Sequence, residues 1–214
     1  MGAPDAVKIN LFRIGYPVTS LGPGKRLVIW VAGCRKRCPS CISPEMRDPA
    51  AGAWIESEEL AEHILRLPYA FDGITVSGGE PFDQAAAVAA LIRQLRSMHA
   101  EWDTLIYSGY RLATLRKHAE RRILLAETDI LIDGPFRHAV PSFLALAGSG
   151  NQRIHFLTER GLGQKDAVLA PLADAAVLGM GRDGMRMLIG VLSPQQRQGW
   201  HQALGLIKGE QDGV

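Results

Sequence analysis

The sequence predicts an α/β protein built on a parallel sheet, and three observations carry the prediction. Short runs rich in β-branched residues alternate with amphipathic stretches of about a dozen residues, the pattern of βαβ units. The first of these runs is apolar throughout, as a strand covered on both faces is. Residues able to do chemistry recur just after the runs, where open α/β sheets and β/α barrels place their sites. A length of 214 residues, 47% hydrophobic and 21% charged, suits a soluble globular protein with one sizeable core.

Each element has its own local reason. Leu27-Val-Ile-Trp-Val-Ala32 follows the Gly22-Pro-Gly24 turn and is continuous enough for a doubly covered strand. Ser57-Glu-Glu opens a helix, with Ser57 expected as N-cap and two acids favouring the dipole. Leu60, Ile64, Leu65 and Leu67 give that helix an apolar face, and Pro68 ends it. Gly73-Ile-Thr-Val-Ser77 is a second strand, and Asp83 is expected to cap the helix that follows it to about Met98. Thr104–Tyr107 is a third strand, followed by a helix over Ala113–Ala126. Asp129–Asp133 is a fourth, closed by Gly134-Pro135. Near the end, Ala175–Met180 and Met185–Ile189 flank Arg182-Asp183-Gly184 as a β-hairpin. Ser193-Pro194 then starts a helix.

The only three cysteines, Cys34, Cys38 and Cys41, stand together after the first strand. Spaced by three residues and then two on one loop, they read as a ligand set one thiol short of closure. A structural zinc site takes four ligands, and no histidine lies nearby in sequence; a ferredoxin-type carrier uses four thiolates per cluster. Three thiolates on an iron–sulfur cube leave one iron free to bind something else. Crowded, unpaired thiols point to a reducing compartment, the cytoplasm. The N-terminus lacks a signal-peptide pattern, and no apolar run approaches the ~20 residues of a membrane span. A formal charge of +2 is too mild to argue for nucleic acid.

With Gly78-Gly79-Glu80 after the second strand, the chain resembles the radical S-adenosylmethionine (SAM) superfamily. The resemblance is closest to the anaerobic ribonucleotide reductase activating proteins. It rests on Gly22-Pro-Gly-Lys-Arg26, the cysteine loop, Ser77-Gly-Gly-Glu-Pro81, Tyr107-Ser-Gly-Tyr110, Leu131-Ile-Asp-Gly134 and Gly148-Ser-Gly-Asn-Gln152, in that order. It spans roughly residues 14 to 157. The resemblance implies an incomplete β/α barrel over residues 1–160 and leaves out the C-terminal part, where the hairpin and the helix after it read as a β-β-α extension, 161–214, packed on the main domain. It implies that Cys34, Cys38 and Cys41 hold a 4Fe-4S cluster whose fourth iron chelates SAM. Gly78 and Gly79 would admit the methionine moiety, Glu80 would accept from its ammonium, and Ser77, Ser108, Asp133 and Asn151 would complete the cofactor site. For Asp133 and Asn151 a turn or cap is the competing role.

One position departs from the superfamily pattern. Many members place an aromatic just before the third cysteine; here it is Ser40, so adenine packing must come from elsewhere. The implied function is an activase that forms a glycyl radical on a partner enzyme, fed by a flavodoxin- or ferredoxin-type electron donor. Arg35-Lys36-Arg37 could meet such a donor, stabilise the cluster, or form a solvated loop. Two other functions fit the same residues: radical modification of a peptide or nucleoside-like small molecule, and a non-catalytic iron–sulfur electron carrier or interaction protein.

Overall fold

The computed structural model describes residues 7–170, 177–180, 186–190 and 199. Four strands run parallel at the centre: β2 (Arg26–Val31), β4 (Gly73–Gly78), β5 (Asp103–Ser108) and β6 (Ile130–Asp133). Three more, β1 (Lys8–Val18), β3 (Ala53–Glu56) and β7 (Arg153–Phe156), pair antiparallel at the flanks. The seven-stranded order is β3-β1-β2-β4-β5-β6-β7. The sheet is therefore mixed, with the expected parallel part as its middle. β1 is absent from the sequence reading because Lys8-Ile-Asn-Leu-Phe-Arg13 mixes polar and apolar residues, and Pro17 demotes a strand by pattern.

The central strands form on short runs of apolar and β-branched residues. All six residues of β2 are buried. One face packs Leu27, Ile29, Ile74, Val76, Ile106 and Leu131 against α1 (Ser57–Leu65), α2 (Ala85–Met98), α3 (Leu112–Lys117) and α4 (Ala119–Leu125). In α2 the apolar stripe is Val88, Leu91, Ile92 and Leu95, the i, i+3, i+4, i+7 spacing of a helix covering a sheet. Each such fully buried side chain is worth about 1.5–3 kcal/mol of transfer free energy. The opposite face carries two smaller clusters. Val28 and Trp30 pack with Met46 and Ile189. Leu105, Ile130 and Ile132 pack with Leu146 and Val168.

Three local readings change. Ser57 lies within α1, behind Glu56 at the N-cap, and its hydroxyl instead donates to the carbonyls of Val7 (2.8 Å) and Ala87 (3.1 Å). Asp83 sits in a 3-10 turn over Pro81–Gln84 and does not cap α2. The helix expected over Ala113–Ala126 is two, broken at His118, whose φ of −107° and ψ of 122° are extended. Two short helices, α5 (Glu159–Leu162) and α6 (Lys165–Val168), follow β7. The expected hairpin is present as β8 (Val177–Met180) paired with β9 (Arg186–Ile189). The Ile189 carbonyl accepts from Ser20 Oγ at 2.9 Å, which ties β9 to the main sheet. The helix expected from Ser193 lies outside the described residues.

At the N-terminal end of the parallel strands Arg26 is fully buried and meets both oxygens of Asp103, at 2.8 and 2.9 Å. Its Nε donates to Thr75 Oγ1 at 3.1 Å, so one guanidinium fastens β2, β4 and β5. Burial lowers the Arg26 pKa and raises that of Asp103, while each partner's charge opposes the shift. Removing one partner would strand the other charge, at about 3–5 kcal/mol. This clamp fixes the strands from below and leaves their C-terminal ends free to build a site.

Candidate functional site

The strand ends are joined through backbone. After β2 the chain turns at Gly33, where φ is +94°, into the cysteine loop. Gly33 N–H donates to Met46 O (2.9 Å) and Cys34 N–H to Arg47 O (3.1 Å), pinching the loop at its base. From β4, Gly79 N–H donates to Val31 O at 2.7 Å and Glu80 N–H to Gly33 O at 2.9 Å. Gly78 takes φ +102°, and a Cβ there would lie 2.5 Å from Val31 O. A Cβ on Gly79 would overlap the Gly33 carbonyl. The glycine pair is thus demanded by the approach of two backbones, a requirement separate from any cofactor.

Cys34, Cys38 and Cys41 are all free and half-buried. Burial pushes the Cys34 thiol up to about 11, with Glu80 and Asp83 adding to the rise, and burial likewise raises Cys41. In the ligand-free chain the Cys34 thiol is protonated and donates to Lys36 O at 3.3 Å. Metal binding must therefore displace protons. Among the described residues no three His, Cys, Asp or Glu side chains converge as a ready metal site, so the thiols share a loop without sharing a focus. The donor set nevertheless fits an iron–sulfur cluster: three soft sulfurs on a loop free of helix and strand, anchored to a glycine-rich strand end.

Glu80 is 1% exposed, and its side chain turns inward. Its Oε1 accepts from Phe82 N (3.1 Å) and Ser108 Oγ (2.9 Å), and its Oε2 from Gly109 N (2.8 Å). Burial raises its pKa to about 7 against the pull of these three donors. Glu80 and Ser108 thus bind the ends of β4 and β5 together. Ser77, half-buried, is three residues before Glu80, near the end of β4 and in register with Trp30.

Asp133 ends β6 and caps the start of α3. It accepts from Leu112 N at 2.6 Å and Arg111 Nη1 at 3.0 Å, with His155 Nε2 at 3.0 Å. Asn151 donates to Pro135 O at 2.8 Å and Gln152 to Gly134 O at 3.1 Å, holding the loop after β6. All ten sequence-expected site residues therefore gather at one end of the sheet. The cysteine loop, Gly78–Glu80 and Ser108 form one connected group; Asp133 and Asn151 form a neighbouring one, linked by Gly134 N–H to Ser108 O at 2.9 Å.

Two features went unread in the sequence. A cavity of about 870 Å³ opens beside Cys34, lined among others by Arg35, Arg37, Arg47, Trp54 and Asp83. It touches one of the three cysteines and none of Gly78–Glu80, Ser108, Asp133 or Asn151, so this concavity lies on the β1–β3 side of the loop. The second is Asp83, which accepts from Arg35 N at 3.0 Å and Tyr110 OH at 2.9 Å. The Tyr107-Ser-Gly-Tyr110 motif was the available signal for Tyr110; Asp83 resembled a helix cap and offered none.

Among the described residues no helix is long and apolar enough to cross a membrane. The family described as a 4Fe-4S single cluster domain matches residues 20–155. An anaerobic ribonucleoside-triphosphate reductase-activating protein of Vibrio cholerae is 31% identical over 151 residues, 67% of this chain and 96% of that protein. The protein of the same name from enterobacteria phage T4 is 27% identical over 152 residues, 68% of this chain and 93% of its own. The pyruvate formate-lyase-activating enzyme of Clostridium pasteurianum is 31% identical over 109 residues, 48% of this chain and 46% of that enzyme. The crystal structure of QueE from Escherichia coli superposes with a TM-score of 0.44 at 12% identity, over 95% of this chain and 79% of that one. The chain belongs to the 4Fe-4S single cluster domain family, as a radical SAM enzyme of the activating type whose cofactors are a 4Fe-4S cluster and SAM.

Proposed function

We propose that Cys34, Cys38 and Cys41 hold the cluster, that the Gly78-Gly79 strand end receives the methionine end of SAM, and that the chain forms a glycyl radical on a partner enzyme of the anaerobic ribonucleotide reductase kind. The observation that carries this reading is the pair of backbone bonds joining the Gly-Gly-Glu strand end to the end of β2 and the base of the cysteine loop, Gly79 N–H to Val31 O and Glu80 N–H to Gly33 O. When bound, the reduced cluster would supply one electron to SAM, whose C5′–S bond would break to methionine and a deoxyadenosyl radical able to take a hydrogen atom from a glycine Cα.

The chain's own residues position and shield. Glu80 supports the site by gripping Ser108 and Gly109, and the main chain of Gly78 and Gly79 is the surface left for the cofactor. Ser77, Asp133 and Asn151 line the same end of the sheet, with Asp133 and Asn151 ordering the loop that follows β6. We read the sheet as a partial barrel over residues 1–160, with 161–214 as an extension, working in a reducing cytoplasm. An open sheet edge leaves room for a protein segment as substrate.

The electron donor would dock over the cavity beside Cys34, where three arginines outnumber Asp48 and Asp83. Arg35, Arg37 and Arg47, with Trp54 62% exposed at its rim, suit an acidic flavodoxin- or ferredoxin-type protein. Raising the salt from low to high is expected to slow cluster reduction by such a donor about tenfold, followed by stopped-flow absorbance. Equal rates at both salts would remove this docking site.

The activase reading is tested by electron paramagnetic resonance after mixing the reduced, reconstituted chain and SAM with an anaerobic ribonucleoside-triphosphate reductase. The expected result is a glycyl radical signal that requires all components. Formation of 5′-deoxyadenosine with a modified small molecule, and no glycyl radical, would favour the small-molecule reading instead.

A further inference from the structure

Of the two residues that follow the first cysteine, Tyr110 touches Lys36 directly and reaches Arg35 through Asp83. Two cations lie over its ring, Lys36 Nζ 4.7 Å and Arg121 Cζ 3.8 Å from the centroid. Its hydroxyl donates to Asp83 Oδ1 at 2.9 Å, and the other oxygen of Asp83 accepts from Arg35 N–H at 3.0 Å. Arg121 closes the group at 3.5 Å from Asp83. Next to Tyr110, a Cβ on Gly109 would lie 2.7 Å from Lys36 Cδ, so the lysine stem rests directly on the main chain. Tyr110 N–H donates to Ser108 Oγ at 3.0 Å, and Ser108 donates to Glu80. A chain of contacts thus runs from the Gly-Gly-Glu strand end, through the end of β5, to the segment between Cys34 and Cys38. No helix or strand runs through that segment, so its order must come from outside it.

We propose that Tyr110 is a positioning residue: with Asp83 it latches Arg35 and Lys36, and so sets where Cys34 and Cys38 stand relative to the Gly78-Gly79 strand end. The proposal rests on the reading that these cysteines are cluster ligands. The ring contributes through cation–π contact with Lys36, and the hydroxyl contributes through Asp83 to the Arg35 amide. Tyr110→Phe removes one grip and Tyr110→Leu removes both, so their effects should be graded. A residue that merely supports the fold would lower the melting temperature of both variants without singling out the cysteine loop.

The first readout uses the metal-free chain: the rate at which each thiol reacts with a maleimide, resolved by mass spectrometry. Tyr110→Leu is expected to speed reaction of Cys34 and Cys38 about tenfold, and Tyr110→Phe less, by freeing local opening of the loop. The second readout is the resonance spectrum of the reduced cluster with SAM bound. It should shift in Tyr110→Leu, with a raised KM for SAM, and return close to wild type in Tyr110→Phe. Asp83→Asn, which keeps the shape but weakens the acceptor, is the second probe should Tyr110→Leu fail to fold, and it should speed thiol reaction in the same way. Unchanged thiol rates in the folded variants, together with an unchanged SAM-bound spectrum, would overturn the latch. Full iron content in Cys34→Ala would instead overturn the cluster assignment on which the latch rests, and the two failures are read in different samples.

Discussion

Gly79→Ala is expected to destabilise the ligand-free chain by about 3 kcal/mol and to lower its melting temperature by roughly 10 °C. The reason is geometric. The new methyl would overlap the Gly33 carbonyl oxygen and lie 2.8 Å from its carbon and 3.0 Å from its nitrogen. Every one of these atoms is backbone, so no side chain can swing aside. Relief requires the end of β4 to leave β2, which breaks the Glu80 N–H bond to Gly33 O and opens the base of the cysteine loop. Iron content after reconstitution should fall with stability. Gly163→Ala is the control: its φ is −60°, and its nearest neighbours would be 3.5 and 3.6 Å away, so alanine fits without strain. Calorimetry of the two variants checks the contrast, and a wild-type melting temperature for Gly79→Ala would refute the close approach.

Replacing any one of Cys34, Cys38 and Cys41 by Ala should act in the opposite sense, with stability kept and iron lost. The three thiols are free and half-buried, so the ligand-free fold should change by less than about 1 kcal/mol. Reconstituted wild type is expected to hold about four irons per chain, and each variant well under half of that. The high Cys34 pKa gives a further sign. Thiol protons must leave for iron to bind, so loading should improve as pH rises from neutral towards 9. Iron analysis checks both statements. Full loading of one alanine variant would remove that cysteine from the ligand set.

The parallel centre of the sheet was legible because its strands are buried and leave a mark in composition. Leu27–Val31, Ile74-Thr-Val76 and Leu131-Ile132 are runs of apolar and β-branched residues between turns. The flanking strands leave weaker marks. β3 and β7 have four residues each, half-buried or exposed, and are held in place by β1 and β6 through pairing that sequence cannot reveal. For the site, the cysteine spacing and the glycine pair could be read directly, since both are local. The inward turn of Glu80 could not: a carboxylate after a strand reads as a ligand group, and only its three donors show it bracing β4 against β5. Ser57 and Asp83 failed as caps for the same reason, each having a better partner far away in sequence. Tyr110 reaches the cysteine loop across the tops of two strands, a contact created by the fold alone.

The central claim, that this chain cleaves SAM at a three-cysteine cluster, is tested most directly by quantifying 5′-deoxyadenosine. The sample is the anaerobically reconstituted wild-type chain, reduced with dithionite in the presence of SAM. The expected result is 5′-deoxyadenosine and methionine in equal amounts, with neither formed by the Cys34→Ala, Cys38→Ala or Cys41→Ala chains. A fully iron-loaded wild type that leaves SAM intact would contradict it.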